Sequence, residues 1–265
     1  MKIVCLKGGL GNQMFEYCRF RDLMESGHDE VYLFYDHRRL KQHNGLRLSD
    51  CFELELPSCP WGVKLVVWGL KICRAVGVLK RLYDDEKPEA VLIDDYSQHR
   101  RFIPNARRYF FFRQFLAELQ SGFVQMIRAV DYPVSVHVRR GDYLHPSNSS
   151  FGLCGVDYFQ QAIAYVRKKR PDARFFFFSD DMEWVRENLW MEDAVYVEHT
   201  ELLPDYVDLY LMTLCRGHII SNSTFSFWGA YLAVDGNGMK IYPRRWFRDP
   251  TWTSPPIFSE ERVGL

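Results

Sequence analysis

From Val134 onward the chain alternates short apolar runs with longer segments of helical periodicity, and this alternation limits the possible folds more than any other feature of the sequence. Strands are expected at Val134–Val138, Arg174–Phe178, Ala194–Glu198, His218–Ile220 and Lys240–Tyr242. Helices are expected between them, near Val156–Arg170, Met182–Leu189, Asp205–Cys215 and Phe225–Ala233. Repeated strand–helix units of this kind build a parallel sheet covered by helices, which is an α/β architecture. The first half opens in the same way, with a strand at Lys2–Leu6, a loop Gly8-Gly9-Leu10-Gly11, a helix from about Asn12 to Ser26 and a strand at Val31–Phe34. Between Asp36 and Ile93 the pattern loosens around Pro57, Pro60 and several charged clusters, and outside the apolar stretch Trp61–Leu82 it marks no element. A helix over Ala117–Ala129 ends at Asp131-Tyr132-Pro133, because a residue before proline disfavours helical geometry. The expected division is therefore into two lobes, 1–131 and 132–265.

In a parallel sheet ligands bind outside the carboxyl ends of the strands, so the polar residues that follow each strand are the candidates for chemistry. These are Arg139-Arg140-Gly141-Asp142, Ser179-Asp180-Asp181, His199 and Ser221-Asn222-Ser223-Thr224. Two adjacent arginines offer permanent charge and planar donor forks that match a diphosphate. The plainer reading is a surface pair with Asp142 as its salt-bridge partner; it is disfavoured because His137 and Arg139 share one side of the alternating strand. Arg140-Gly141-Asp142 is an Arg-Gly-Asp string, which at a strand end is a chance occurrence. Asp180 and Asp181 suit hydrogen bonds to a guanine or ribose or a divalent cation, and Ser179 and Asp180 suit the cap of the next helix. Asn222, Ser223 and Thr224 place hydroxyls and backbone donors where a strand meets a helix, and Phe225 is near enough to pack on a base. In the first half, the glycine loop with Gly11, Asn12 and Gln13 could likewise face an anion. It is neither a Walker loop nor a dinucleotide fingerprint, since Met14 stands where the third glycine would be.

Composition narrows the partners. Thirty-four basic and 34 acidic residues cancel, so the overall charge gives no general attraction for nucleic acid. The seven cysteines are scattered without metal-binding spacing, and they read as reduced thiols. The start MKIVCLKGG shows no secretory apolar region, which leads to an expectation of the cytoplasm. Trp61 to Leu82 is strongly apolar but carries Lys64, Lys71, Arg74, Lys80 and Arg81, so it is not an ordinary transmembrane span. It reads either as a helix packed on the protein, the favoured alternative, or as a peripheral membrane contact on an anionic leaflet.

Three blocks, GGLGNQMF, HVRRGDY and SNSTFSFWGAYL, occur in an order and spacing that resemble the α-1,2-fucosyltransferases of glycosyltransferase family 11. The resemblance implies a GT-B-like fold of two Rossmann-like lobes with the donor site in the cleft, the amino-terminal lobe serving the acceptor and the carboxyl-terminal lobe the nucleotide. It implies an inverting enzyme that moves L-fucose from GDP-β-L-fucose to the 2-OH of a galactose-terminated acceptor, without metal or other cofactor. Arg139 then corresponds to the arginine that contacts the diphosphate, Gly11 and Asn12 to a loop closing over it, Ser223, Thr224 and Phe225 to phosphate and base contacts, and Asp180 to a nucleoside carboxylate. Phe227 replaces a tryptophan common in the family, and the shortness of the chain suggests a bacterial enzyme of surface-glycan synthesis. Asp142 is a candidate for the general base, with holding Arg139 as the equal alternative. A related glycosyltransferase with another acceptor or linkage, or a non-catalytic GDP-sugar or glycan-binding module, are the alternative functions.

Overall fold

The computed structural model describes residues 1–41, 44–83, 87–119, 122–146, 150–198, 204–249, 251–257 and 263–264. The chain divides into two compact units, Met1–Arg113 and Gln114–Leu265.

In the first unit, β1 (Lys2–Leu6) leads through the glycine loop into α1 (Leu10–Glu25) and β2 (Val31–Tyr35). The short helices α2 (His37–Leu40) and α3 (Leu48–Cys51), the longer α4 (Trp61–Ala75) and β3 (Leu92–Ile93) complete it. The three strands are parallel in the order β2-β1-β3. Ile3 and Cys5 alternate onto one face of β1 and pack with Val63, Val67 and Leu70 of α4 and with Leu92. The strand order reverses between β1 and β3, so the glycine loop leaves the sheet at its topological switch point.

The second unit begins with α5 (Gln114–Ala117) and α6 (Gly122–Arg128), followed by β4 (Tyr132–Val138), α7 (Val156–Lys169), β5 (Ala173–Ser179), α8 (Met182–Asn188) and β6 (Val195–Tyr196). It continues through α9 (Tyr206–Thr213), β7 (Gly217–Ile219), α10 (Thr224–Tyr231), β8 (Lys240–Tyr242) and β9 (Val263–Gly264). Every pairing in the sheet is parallel, in the order β6-β5-β4-β7-β8-β9. Numbered by appearance in the chain this is 3-2-1-4-5-6, the doubly wound order, whose switch point lies between β4 and β7. Val134, Val136 and Val138 share a core with Phe159, Ile163 and Val166 of α7 and with Phe175 and Phe177 of β5. Ser135 and His137 point to the opposite face, where Ser135 bonds His218 at 2.8 Å and His137 bonds Ser226 of α10. A strand buried on both faces reads as an apolar run, which is why β4 and β5 were legible in the sequence.

The expected boundary after Asp131 moves to Arg113/Gln114. Val124 and Ile127 of α6 are buried, α6 packs on α9, and the Phe115 ring meets Tyr206 at 6.4 Å, so the helices before Pro133 belong to the second core. Pro133 does not separate domains. It sits near the start of β4 and uses its carbonyl to accept the Arg216 N–H at 2.9 Å. The expected helix Ala117–Ala129 is two pieces, with residues 120–121 outside the described set.

Candidate functional site

The switch point of the second unit collects the arginine block and the serine-rich block. The register aligns Val138 of β4 with Ser179 of β5, so the next residues, Arg139 and Asp180, leave the sheet side by side. Asp180 Oδ2 pairs with Arg139 Nη1 at 2.9 Å, while Asp142 Oδ1 pairs with Arg139 Nη2 at 2.7 Å. The guanidinium is thus held by a carboxylate on each side, with its side chain 32 % exposed. Burial works against its charge, but Asp180 and then Asp142 outweigh that and hold its pKa above the ordinary arginine value. Arg140 turns away: its Nε pairs with Asp181 Oδ2 at 3.0 Å and its guanidinium lies 3.9 Å above the Trp184 ring. Of the two arginines, Arg139 has the more exposed side chain, 32 % against 14 % for Arg140.

Two serines fix the backbone here. The Ser221 hydroxyl donates to the His137 carbonyl at 2.6 Å and accepts the Arg139 N–H at 3.0 Å, tying the end of β7 to the end of β4. Ser179 donates to the Val138 carbonyl at 2.8 Å and accepts the Asp181 N–H at 2.9 Å. The cap of α8 is consequently Asp181, which accepts the Trp184 N–H at 3.2 Å, rather than Ser179 or Asp180 as expected. Gly141 completes the arrangement, because a Cβ there would stand 2.5 Å from Asp180 Oδ2 and 3.0 Å from its Cγ. The sequence places Ser221, Ser179 and Gly141 in the polar loops after the strands but does not show these roles, because the backbone groups they hold and the carboxylate that crowds Gly141 come from other strands.

Several expected contact residues are used internally instead. His137 is buried, bonded through Nδ1 to Ser226 Oγ, and its ring lies 5.5 Å from Phe225. Burial lowers its pKa to about 4, against the pull of Asp180 and with the help of Arg139, so it is neutral near pH 7. Asn222 is buried and its amide donates to the Gly152 and Trp246 carbonyls at 2.6 and 2.8 Å, while its oxygen lies 3.5 Å from the Cys154 thiol. It is a brace between loops, not a ligand contact. Ser223 is buried and is the N-cap residue of α10 without a side-chain capping bond; Thr224 and Phe225, half-buried, are the accessible members of the block. His199 lies outside the described residues.

Tyr143 links this cluster to a cavity of about 870 Å³. Its hydroxyl donates to the Asn222 carbonyl at 2.9 Å, and burial raises its pKa, keeping it protonated. Its ring stacks on Phe151 at 4.9 Å, and Phe247 lies 5.7 Å further on. Arg245 and Arg248 also line the cavity, and they have no ion-pair partner among the described residues.

In the first unit, Gly8 has a φ of +68° and a Cβ on it would meet Asn12 Nδ2 at 2.7 Å, so the loop is specific for glycine there. Asn12 accepts from Gln98 Nε2 at 2.9 Å. Gln13 is wholly buried: its amide donates to the Gly8 and Gly45 carbonyls, both at 2.9 Å, and accepts the Arg47 N–H at 3.1 Å. The expectation that Gln13 touches a ligand is therefore corrected; it fastens the glycine loop to the segment at Gly45–Arg47. Gly11 lies in the first turn of α1, where the helix dipole favours an anion. Among the described residues no group of three His, Cys, Asp or Glu side chains is placed to hold a metal ion.

Comparison with known proteins agrees with these blocks. An α-1,2-colitosyltransferase of Escherichia coli is 28 % identical over 265 residues, covering 91 % of each chain. A galactoside α-(1,2)-fucosyltransferase 1 of Plecturocebus brunneus is 35 % identical over 119 residues, 42 % of this chain and 32 % of its own. Among solved structures, the NodZ α-1,6-fucosyltransferase soaked with GDP-fucose superposes with a TM-score of 0.53 at 14 % identity, over 88 % of this chain and 92 % of that one, a likeness of fold in the GT-B-like class. The model for "Glycosyl transferase family 11" matches residues 105–265, more than half of the chain and the whole of the doubly wound sheet that carries Arg139. With its arginine and serine blocks at the switch point of that matched sheet, the chain belongs to glycosyl transferase family 11.

Proposed function

We propose that the protein is an inverting fucosyltransferase that moves L-fucose from GDP-β-L-fucose to the 2-OH of a galactoside, forming an α-1,2 linkage. The observation that carries the reading is Arg139, charged and held between Asp142 and Asp180 at the switch point of the sheet. As the bond from the fucose anomeric carbon to GDP breaks and the bond to the acceptor oxygen forms from the opposite face, negative charge grows on the β-phosphate. A guanidinium already fixed in place stabilises that charge without reorganising, an effect of about 3 kcal/mol for one such donor. Asp142, which pairs with Arg139 at 2.7 Å, holds that guanidinium and is also the candidate general base for the proton that the acceptor hydroxyl loses. Thr224 and Phe225 at the start of α10 remain candidates for phosphate and base contacts, and the cavity beside Tyr143 offers aromatic faces and guanidinium donors suited to a sugar. The reaction is proposed to need no metal, since Asp180 and Asp181 already have arginine partners.

A second reading concerns the donor, because a relative alignable over 91 % of both chains carries the name colitosyltransferase. The test of both is incubation with GDP-fucose or GDP-colitose and lactose in EDTA, followed by mass spectrometry and linkage analysis. Fucose on galactose O2 is expected, and Arg139→Ala should abolish it while the protein stays folded. Transfer only from GDP-colitose would replace the donor, a different linkage would replace the acceptor position, and GDP binding without turnover on any acceptor would leave a binding module. Near-normal transfer by Arg139→Ala would remove the proposed role of that residue.

A further inference from the structure

We propose that α4 and the turn after it dock the first unit on an anionic lipid surface. Helix α4 is apolar on two opposite faces. Val63, Val67 and Leu70 turn inward onto the sheet. At the spacing i, i+4, i+7, i+11, Trp61, Leu65, Trp68 and Ile72 form a second stripe, 64 %, 50 %, 48 % and 65 % exposed. Val76, Val78 and Leu79 continue this apolar surface past the end of the helix. The Trp61 and Trp68 rings meet edge to face at 5.6 Å, so the two indoles form one outward patch. An ordinary packed helix buries one stripe and shows solvent a polar face; this one shows solvent its tryptophans.

Charge selects the occupant. Trp61 to Leu82 contains five basic residues and no acidic one, although the whole chain is balanced at 34 of each sign. Lys71 and Arg74 reach Asp94 at 3.9 and 3.3 Å. Lys64, Lys80 and Arg81 have no ion-pair partner among the described residues, and they lie beside the apolar stripe or in the turn that extends it. The run Asp84-Asp85-Glu86 follows in sequence and lies outside the described residues. Tryptophans beside long cationic side chains are the composition of a helix lying in the plane of a bilayer interface, rings among the acyl chains and cations at the headgroups. No helix among the described residues is long and apolar enough to cross a membrane, so the geometry is that of a helix lying flat. A second copy docked on the same face would instead bring two sets of like charges together.

The test is flotation of the full chain with phosphatidylcholine vesicles, with and without phosphatidylglycerol. Binding is expected to the anionic vesicles and to weaken with salt. Trp61→Ser/Ile72→Ser and, separately, Lys80→Glu/Arg81→Glu should each weaken it by at least about tenfold. These positions are exposed, and circular dichroism should show the fold unchanged. Absence of binding to the anionic vesicles, or binding equal in wild type and both variants, overturns the proposal. So does concentration-dependent dimerisation in light scattering that the tryptophan variant abolishes, which would assign the stripe to a second copy.

Discussion

Gly141 has no side chain, and the Asp180 carboxylate occupies the space one would need. Any substitution there must push Asp180 away from Arg139 and from the Arg140 N–H, which Asp180 Oδ1 accepts at 2.8 Å. Gly141→Ala should therefore cost about 1–3 kcal/mol of stability, typical of forcing a methyl into packed space. Its larger effect should be on transfer, with kcat falling about a hundredfold as the preorganised guanidinium is lost. Thermal melting and steady-state kinetics of the same variant check this, and an unchanged kcat would disconnect Asp180 from the work of Arg139. At this scale the residue types of the site were legible: permanent charge at Arg139 and carboxylates at Asp142 and Asp180 follow from the sequence. Which polar side chains are consumed internally was not. Gln13 and Asn222 look like ligand contacts in a polar motif, yet each spends its amide on backbone groups of distant segments that only the folded chain brings near.

Helix α10 and strand β4 meet at His137, whose ring is buried against Phe225 and bonded to Ser226. Burial first, then the positive Arg139, lowers the His137 pKa to about 4, while an unfolded histidine titrates near about 6.5. Between those values the unfolded chain takes up a proton that the folded chain refuses. The contribution of His137 is complete above about pH 6.5 and is lost as the pH falls toward 4, up to about 3 kcal/mol. Denaturant unfolding from pH 7 to 4 should show this loss in the wild type and a shallower one in His137→Gln; equal slopes would refute it. Elements with long periodic runs, such as α7 and β5, were readable to within a residue or two. A helix was the favoured reading of the apolar stretch Trp61–Leu82, and α4 occupies its first part, Trp61–Ala75; with apolar side chains on both faces, periodicity did not mark where it ends. The two-residue strands β3 and β9 are too short to show a period at all, whereas β6, expected at Ala194–Glu198, is present as Val195–Tyr196.

For the whole molecule, the position of the unit boundary makes a prediction of its own. A fragment starting at Gln114 keeps the α6–α9 contact, whereas one starting at Tyr132 removes Val124 and Ile127 from the core. Deleting two buried aliphatic side chains should lower stability by several kcal/mol, on the order of 2–5 kcal/mol for each large truncation, and thermal melts of the two fragments compare them directly. Equal melting temperatures would return the boundary to Asp131. The sequence by itself determined the alternation of strands and helices, hence a parallel α/β chain, and it marked the loops that carry charge, because periodicity and residue chemistry are local properties. Strand order is not local. The tertiary structure decided that β4 and β7 are neighbours at the point where the winding reverses, and so that the arginine and serine blocks, more than eighty residues apart, share one end of one sheet. It also decided where the first core ends, since α5 and α6 choose their unit by which hydrophobic face they complete, and that choice depends on surfaces formed by residues far along the chain.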